Sequence, residues 1–273
     1  YGREELYPHS DVDVLLLLPN NSEKLNKSLI ENLIGFLWDS GLEIGHSVRN
    51  IAESVFEANN DCSIASTILE SRFLVGNHDL YCELKKIIKD KLDVPIFVES
   101  KLQEQSKRYD RYYDTAYYLE PNIKESPGGL RDLQTVLWIS SSLGLGETWE
   151  NLHQNDLIQT NEIRELRAME AILIDLRIRL HYVAGRREDR LIFDYQNAVA
   201  KNFGLEDTKG KKASEKLMQR FYKAAQSVLR FNRMIIQNLN TIHQTKNDSE
   251  IIVLNPRFQI KNQLLECVRK DLF

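Results

Sequence analysis

"GREELYPHSDVDVLLLLPN" (residues 2–20) decides how the rest of this chain is read. Val12, Val14 and Leu15 to Leu18 are a short run of branched and aliphatic residues closed by Pro19-Asn20-Asn21, the pattern of a buried strand. Two aspartates, Asp11 and Asp13, stand at its mouth. Aspartate is disfavoured in strands, and a buried carboxylate is costly unless a partner neutralises it. Alternate residues of a strand share a face, with Cα atoms roughly 6.5–7 Å apart, so the two carboxylates converge on one volume. A cation between them relieves their repulsion, and carboxylate oxygens suit Mg2+, which keeps waters and takes further ligands from substrate phosphates. A pair of such ions stabilises the attacking and leaving oxygens of an in-line phosphoryl displacement. An isolated Asp-x-Asp reads equally well as one turn-capping residue and one partner for Arg3.

Outward from this strand, Ser22 to Ser40 carries Leu25, Leu29, Leu33, Phe36 and Leu37 at helical spacing, with Gly41 as the stop. "LEIGHSV" (42–48) reads as a second strand and Ile51 to Ala58 as a short helix. "CSIASTILESRFLVG" (62–76) fits a helix by Ile64, Ile68 and Leu69, and a strand by the alternation of "ILESRFLV". Helical patterns run from Asp79 to Lys91 and from Ile96 to about Tyr113, with Pro95 between them. "YYLEPNIKESPGGLRDLQ" (117–134) is a structured loop running into a helix through Leu130, Leu133, Val136, Leu137 and Ile139. Long helices follow, Glu162 to Ala184 and Ser214 to about His243, the second with a broad apolar face from Leu217 to Leu239. "EIIVLNPRFQI" (250–260) reads as a hairpin turning at Asn255-Pro256. The expected class is therefore α+β: a small mixed-sheet head over residues 1–92 and a mainly helical domain over 93–273 that ends in a short hairpin.

With 273 residues the chain has ample length to bury a core, and 42% hydrophobic with 28% charged residues is ordinary for a soluble globular protein. A net charge of -4 argues against a general nucleic-acid binder. No apolar run is long enough to span a bilayer and no signal peptide is evident, so no membrane partner is expected. Three cysteines without a CxxC pair fit reduced thiols and a cytoplasmic setting. Tyr1-Gly2-Arg3 precedes the first strand without a lead-in and the chain stops at "RKDLF", which reads as a piece of a longer protein.

"GR-x-x-L-x-P-x-SDVDVLLL" resembles the signature of the DNA polymerase β-like nucleotidyltransferases, in which a Gly-rich turn leads through a Ser to an Asp-x-Asp strand. "GLEIGHSVRN", "ASTILESRFLVG", "YYLEPNIKESPGGLRDLQTVLWI" and "HYVAGRREDRLIFDYQ" are similar, in order and over most of the chain, to blocks of the bifunctional PII uridylyltransferase/uridylyl-removing enzyme family. That resemblance implies a polymerase β-like head, Mg2+ as cofactor, and transfer of UMP from UTP to a tyrosine hydroxyl of the PII signalling protein, as a part of nitrogen regulation. It assigns the metal-binding and catalytic positions to Asp11, Asp13 and a third carboxylate, Glu70, with Glu43 as competitor. The turn's backbone amides with Gly2, Arg3 and Ser10, together with Lys124 and Arg131, are the candidates to meet the nucleotide's phosphates. Of the usual Gly-rich turn only Gly2 is present. The parent family's uridylyl-removing HD domain and glutamine-sensing ACT domains are expected to lie outside this chain. Adenylyl transfer and a non-catalytic nucleotide- or PII-binding module are the alternative readings.

Weaker signals have plainer explanations. Arg186, Arg187 and Arg190 of "GRREDR" are further candidates to meet the phosphates, but Glu188 and Asp189 beside them suffice to pair them. His78-Asp79 reads as a solvated helix start, and no His/Cys spacing suggests zinc. The tyrosines at 109, 112, 113, 117 and 118 are expected to pack the junction of head and body.

Overall fold

Strand β1 (Val12–Leu17) pairs in parallel with β2 (Ile44–Arg49), and helix α1 (Glu23–Asp39) makes the crossover that a parallel pair requires. The computed structural model describes residues 2, 5–20, 23–41, 43–244, 251–255, 257–261 and 264–267. Arg3, Pro256 and the side chain of Leu25 lie outside the described residues. The chain is α+β, with two small sheets and otherwise mainly helices among the described residues.

The head continues through α2 (Ile51–Asn60), α3 (Cys62–Leu69) and α4 (His78–Lys91). A capping box starts α2: the Asn50 side chain accepts from Glu53 N at 2.9 Å and the Glu53 carboxylate accepts from Asn50 N at 2.9 Å. Asn77 caps α4, so His78 is an exposed first-turn residue, as the sequence suggests. The ambiguous segment after Cys62 resolves as helix, and Glu70 is its C-cap, not a strand residue. The ammonium of Lys85 donates to the carbonyls of Ile68 and Leu69, which satisfies this helix end and fixes where the helix stops.

Two expectations for the head change. The strand β1 is buried only at Val12, and Val14 to Leu17 are half-buried, because β2 is its one partner strand among the described residues. In α1 the stripe turned inward is Ile30, Ile34 and Leu37, whereas Leu29, Leu33 and Phe36 are exposed. A two-stranded sheet is too narrow to cover more than one stripe of the helix.

The helical body comprises α5 (Val94–Asp110), α6 (Leu130–Ser142), α7 (Trp149–Gln154), α8 (Thr160–Ala184), α9 (Phe193–Asn202) and α10 (Ala213–Gln244). Pro95 lies in the first turn of α5, where a missing N–H costs nothing. The short helices α7 and α9 are not legible from the sequence pattern. Leu217, Phe221, Ala224, Ala225, Val228, Phe231, Ile235 and Leu239 of α10 are all buried and pack against α6, α8 and α9. At the end, β3 (Ile251–Val253), β4 (Phe258–Lys261) and β5 (Leu264–Cys267) form an antiparallel sheet, the first two being the expected hairpin.

Head and body share a core. Phe97 of α5 and Trp138 of α6 belong to the same apolar cluster as Ala65, Ile68 and Leu84 of the head. Inside the body, Asp132 in the first turn of α6 is fully buried and collects donors from four places. Arg108 donates at 2.8 Å, Tyr109 at 2.6 Å, the Gly128 amide at 2.7 Å and Gln105 at 3.4 Å. Burial pushes the Asp132 carboxyl up, and Arg108 is the chief opposing influence. Gly128 has φ +80° and its Cα faces the Ala225 carbonyl of α10 so closely that no Cβ fits. That double requirement explains the Pro-Gly-Gly sequence of this loop. The tyrosines do not pack the head–body junction. Tyr109 binds Asp132, while Tyr117 packs on Tyr222 of α10, whose hydroxyl donates to the Tyr118 carbonyl at 3.2 Å.

Candidate functional site

Asp11 immediately precedes β1 and Asp13 lies within it, both on one face because strand side chains alternate. The β1–β2 register sets Asp13 opposite Gly45, and the Val12 amide donates to the Glu43 carbonyl at 2.9 Å, so Glu43 flanks Asp11. Gly45 matters here: a Cβ on it would lie 2.5 Å from Oδ1 of Asp13. The absent side chain is the space that the carboxylate uses. Both aspartates are exposed, in contrast to the buried strand mouth read from the sequence. Asp11 accepts a hydrogen bond from Nη1 of Arg187, which comes from the loop after α8. That bond to Asp11 raises the guanidinium's already high pKa, and partial burial works against it.

Upstream, Tyr7-Pro8-His9-Ser10 is a turn closed by the Ser10 amide on the Tyr7 carbonyl at 3.1 Å, which delivers Ser10 next to Asp11. Its anchor is the end of α8. The Arg177 guanidinium lies 4.0 Å from the centre of the buried Tyr7 ring, and His9 and Tyr7 both flank the His181 ring. Arg177 donates to Asp189 at 2.6 and 3.3 Å, and His181 Nε2 lies 3.3 Å from the same carboxylate. Burial opposes ionisation of Asp189, but the bonds from His181 and Arg177 outweigh it and hold the carboxyl well below its ordinary range. The Asp189 carbonyl in turn accepts from the Ile123 amide at 2.8 Å, joining the turn, α8 and the Pro-Gly-Gly loop.

Glu70 and Arg131 meet at one ring. Trp138 donates its indole N–H to Oε2 of Glu70 at 2.8 Å, and the Arg131 guanidinium lies 5.2 Å from the Trp138 ring centre. Arg131 is further held by Glu125 at 3.3 Å and Gln134 at 2.9 Å. Gly2 packs against the Glu70 carbonyl so tightly that a side chain is excluded, which places Gly2 beside Glu70. Lys124 is partly buried next to Arg131 and Arg177. Burial lowers its pKa, and those two cations push it further in the same direction, against Glu125 and Asp189.

Asp11 and Asp13 offer two exposed hard-oxygen donors, Asp13 seated over Gly45, a donor set that fits one Mg2+ completed by water and phosphate. Among the described residues, no three His, Cys, Asp or Glu side chains gather closely enough to hold a metal by themselves. The described helices include none long and apolar enough to cross a membrane. Sequence reasoning missed Tyr7, Arg177, His181, Asp189, Trp138 and Asp132. One signal was available: Arg177 and His181 are four apart on α8, so a charge and an imidazole share a helix face.

Residues 96–236 match the family described as GlnD PII-uridylyltransferase. Over the whole chain, 46% of residues are identical to the bifunctional uridylyltransferase/uridylyl-removing enzyme of Aromatoleum aromaticum. The enzymes of the same name from Nitrosospira multiformis and Bordetella parapertussis are 44% and 43% identical, again across the entire chain. The chain spans only 32% of the length of each of these relatives. No solved structure matches it.

Proposed function

The chain belongs to the GlnD PII-uridylyltransferase family, and on that premise we propose that it carries the nucleotidyl-transfer site of a longer cytoplasmic enzyme. In this reading residues 1–92 are the catalytic head, 93–273 the helical body, UTP the donor, and a tyrosine hydroxyl of a PII signalling protein the acceptor. The observation that carries it is the exposed Asp11–Asp13 face, with Asp13 seated over Gly45 and Ser10 delivered beside Asp11 by the Tyr7–Ser10 turn.

The phenolic oxygen attacks the α-phosphorus, the bond to the β-phosphate oxygen breaks, and pyrophosphate leaves. Asp11 and Asp13 are the carboxylates that would hold Mg2+, which when bound would neutralise phosphate charge and lower the acceptor's pKa. Glu70, the third carboxylate that the resemblance assigns, is held by the Trp138 indole and does not gather with them into a three-ligand cluster. Gly2, Arg3 and Ser10 are the residues that the family resemblance assigns to the phosphates, and Lys124 and Arg131 would supply positive charge from the body. A tyrosine hydroxyl has a pKa of about 10, so its proton needs an acceptor, and this chain offers the carboxylates of the same face.

The test is the intact mass of purified PII after incubation with this protein, Mg2+ and either UTP or ATP. A UMP-sized gain with UTP alone, lost in Asp13→Asn, supports the proposal. A gain with ATP would reassign the base, and unmodified PII in the presence of bound UTP would leave a binding module.

A further inference from the structure

Arg187 is held by a loop whose every neighbour is fixed. Gly185 ends α8 with φ +63°, Arg186 pairs with Glu188 at 2.9 Å, and the Arg190 amide donates to Glu188 at 3.0 Å. Arg190 also reaches Glu120 at 2.9 Å, Asp189 is gripped by Arg177 and His181, and the Leu191 amide donates to the Pro121 carbonyl at 2.8 Å. Within "GRREDR", Arg186 pairs inside the motif and Arg190 with the adjoining loop, while Arg187 crosses to Asp11, 176 positions away. Glu43 and Asp189 also lie within its electrostatic reach. So the backbone is pinned while a long side chain reaches Asp11.

The Arg187 and Asp11 side chains are 46% and 42% exposed, so water screens their attraction and the pair is easily exchanged. A guanidinium and a divalent cation cannot share the same carboxylate without repelling each other. A planar guanidinium, moreover, matches phosphate oxygens bidentately.

We propose that Arg187 exchanges between two anions: the Asp11 carboxylate, which it holds in this structure, and the phosphate chain of a nucleoside triphosphate, which it takes when a divalent cation claims Asp11. The inference rests on the nucleotidyl-transfer reading and adds to it a residue that couples metal arrival to phosphate capture. It also explains why an arginine is drawn across the molecule to a surface aspartate where a structural clamp would contribute little.

The experiment uses four proteins: wild type, Arg187→Gln, Arg187→Lys and Asp13→Asn. Mn2+ binding is followed by electron paramagnetic resonance, and binding of Mg·UTP and of UMP by calorimetry. Arg187→Gln is expected to bind Mn2+ about two- to fivefold more tightly, because a weak competitor for Asp11 is gone. The same variant is expected to bind Mg·UTP about tenfold or more weakly, with UMP changed less than about twofold. Arg187→Lys, a point charge without the fork, should fall between it and wild type for Mg·UTP. Unchanged or weaker Mn2+ binding in Arg187→Gln, or equal loss of UTP and UMP, would overturn the inference and leave the site reading standing if Asp13→Asn is deficient. If wild type binds neither Mn2+ nor UTP and Asp13→Asn matches it, both fall together.

Discussion

The indole N–H of Trp138 donates to Oε2 of Glu70 at 2.8 Å, tying α6 of the helical body to the C-cap of α3 in the head. Lys101 and Arg131 both stand over the same indole ring, at 4.6 and 5.2 Å from its centre. The residue assigned as third carboxylate is thus positioned by a side chain of the Pro-Gly-Gly block that defines the family resemblance.

Replacing Trp138 with Phe keeps most of the apolar bulk and deletes the donor. Unfolding in urea should report a loss of about 1–2 kcal/mol. If Glu70 completes the carboxylate set, UMP transfer should fall about tenfold in Trp138→Phe and at least a hundredfold in Glu70→Gln. Glu43→Gln should then stay within about threefold of wild type. The reverse ranking of the two Glu→Gln variants would move the third carboxylate to Glu43, which flanks Asp11 through the strand register.

Gly45→Ala tests the floor of the site. The added methyl would meet Oδ1 of Asp13 at 2.5 Å, so the carboxylate must rotate or shift. Alanine is tolerated in strands, and a melting temperature within a few degrees of wild type is expected. Transfer activity should nevertheless drop by about an order of magnitude or more, because misplacing a reacting group by about 1 Å costs up to a hundredfold. Full activity in a folded Gly45→Ala protein would separate Asp13 from the chemistry.

Asp132 is the buried hub of the body. Asp132→Ala removes the nearer carboxylate partner of the buried Arg108 guanidinium, leaving it Glu125 at 3.8 Å, and strips an acceptor from Tyr109 and from the Gly128 amide. A destabilisation of about 2–4 kcal/mol is expected by chemical denaturation, the cost of leaving a buried charge and two buried donors poorly compensated. Gly128→Ala should also destabilise strongly, since it combines a positive φ with collision against the Ala225 carbonyl.

Asp189 makes stability depend on acid. Its folded-state carboxyl is held below the ordinary value of about 4 by His181 and Arg177, so it binds its proton less readily when folded than when unfolded. Its contribution is therefore present above the unfolded value and fades as the pH falls from about 4 toward the folded one. Asp189→Asn should be less stable than wild type at pH 7, and that difference should shrink steadily below about pH 4 in thermal melts. A constant gap across the acid range would contradict the linkage.

Much of the architecture was legible because it is periodic. The short run of Val12, Val14 and Leu15 to Leu18 marks β1, and the helical spacing from Leu217 to Leu239 marks the face of α10 that is buried. The segment around Glu70 was ambiguous, because eight residues of mixed apolar pattern fit either period. What decides it is tertiary: Lys85 takes the last carbonyls of α3 and stops the helix one residue before Glu70. The tyrosines misled for a similar reason. Aromatic rings in a charged stretch suggest packing, yet Tyr113 and Tyr117 are exposed, and the partners that Tyr109 and Tyr117 do find, Asp132 and Tyr222, are set by how α6 and α10 pack.

By itself the sequence determined that two carboxylates share one strand face, since side-chain direction in a strand depends only on the parity of position. It also determined where the long helices run and which block links this chain to a family. Only the tertiary structure decided the partner of each charge: Arg187 for Asp11, Trp138 for Glu70, and Arg177 with His181 for Asp189. Local pattern encodes which way a residue faces. What it meets there depends on how distant segments pack, and in the Arg187–Asp11 pair those segments are 176 positions apart.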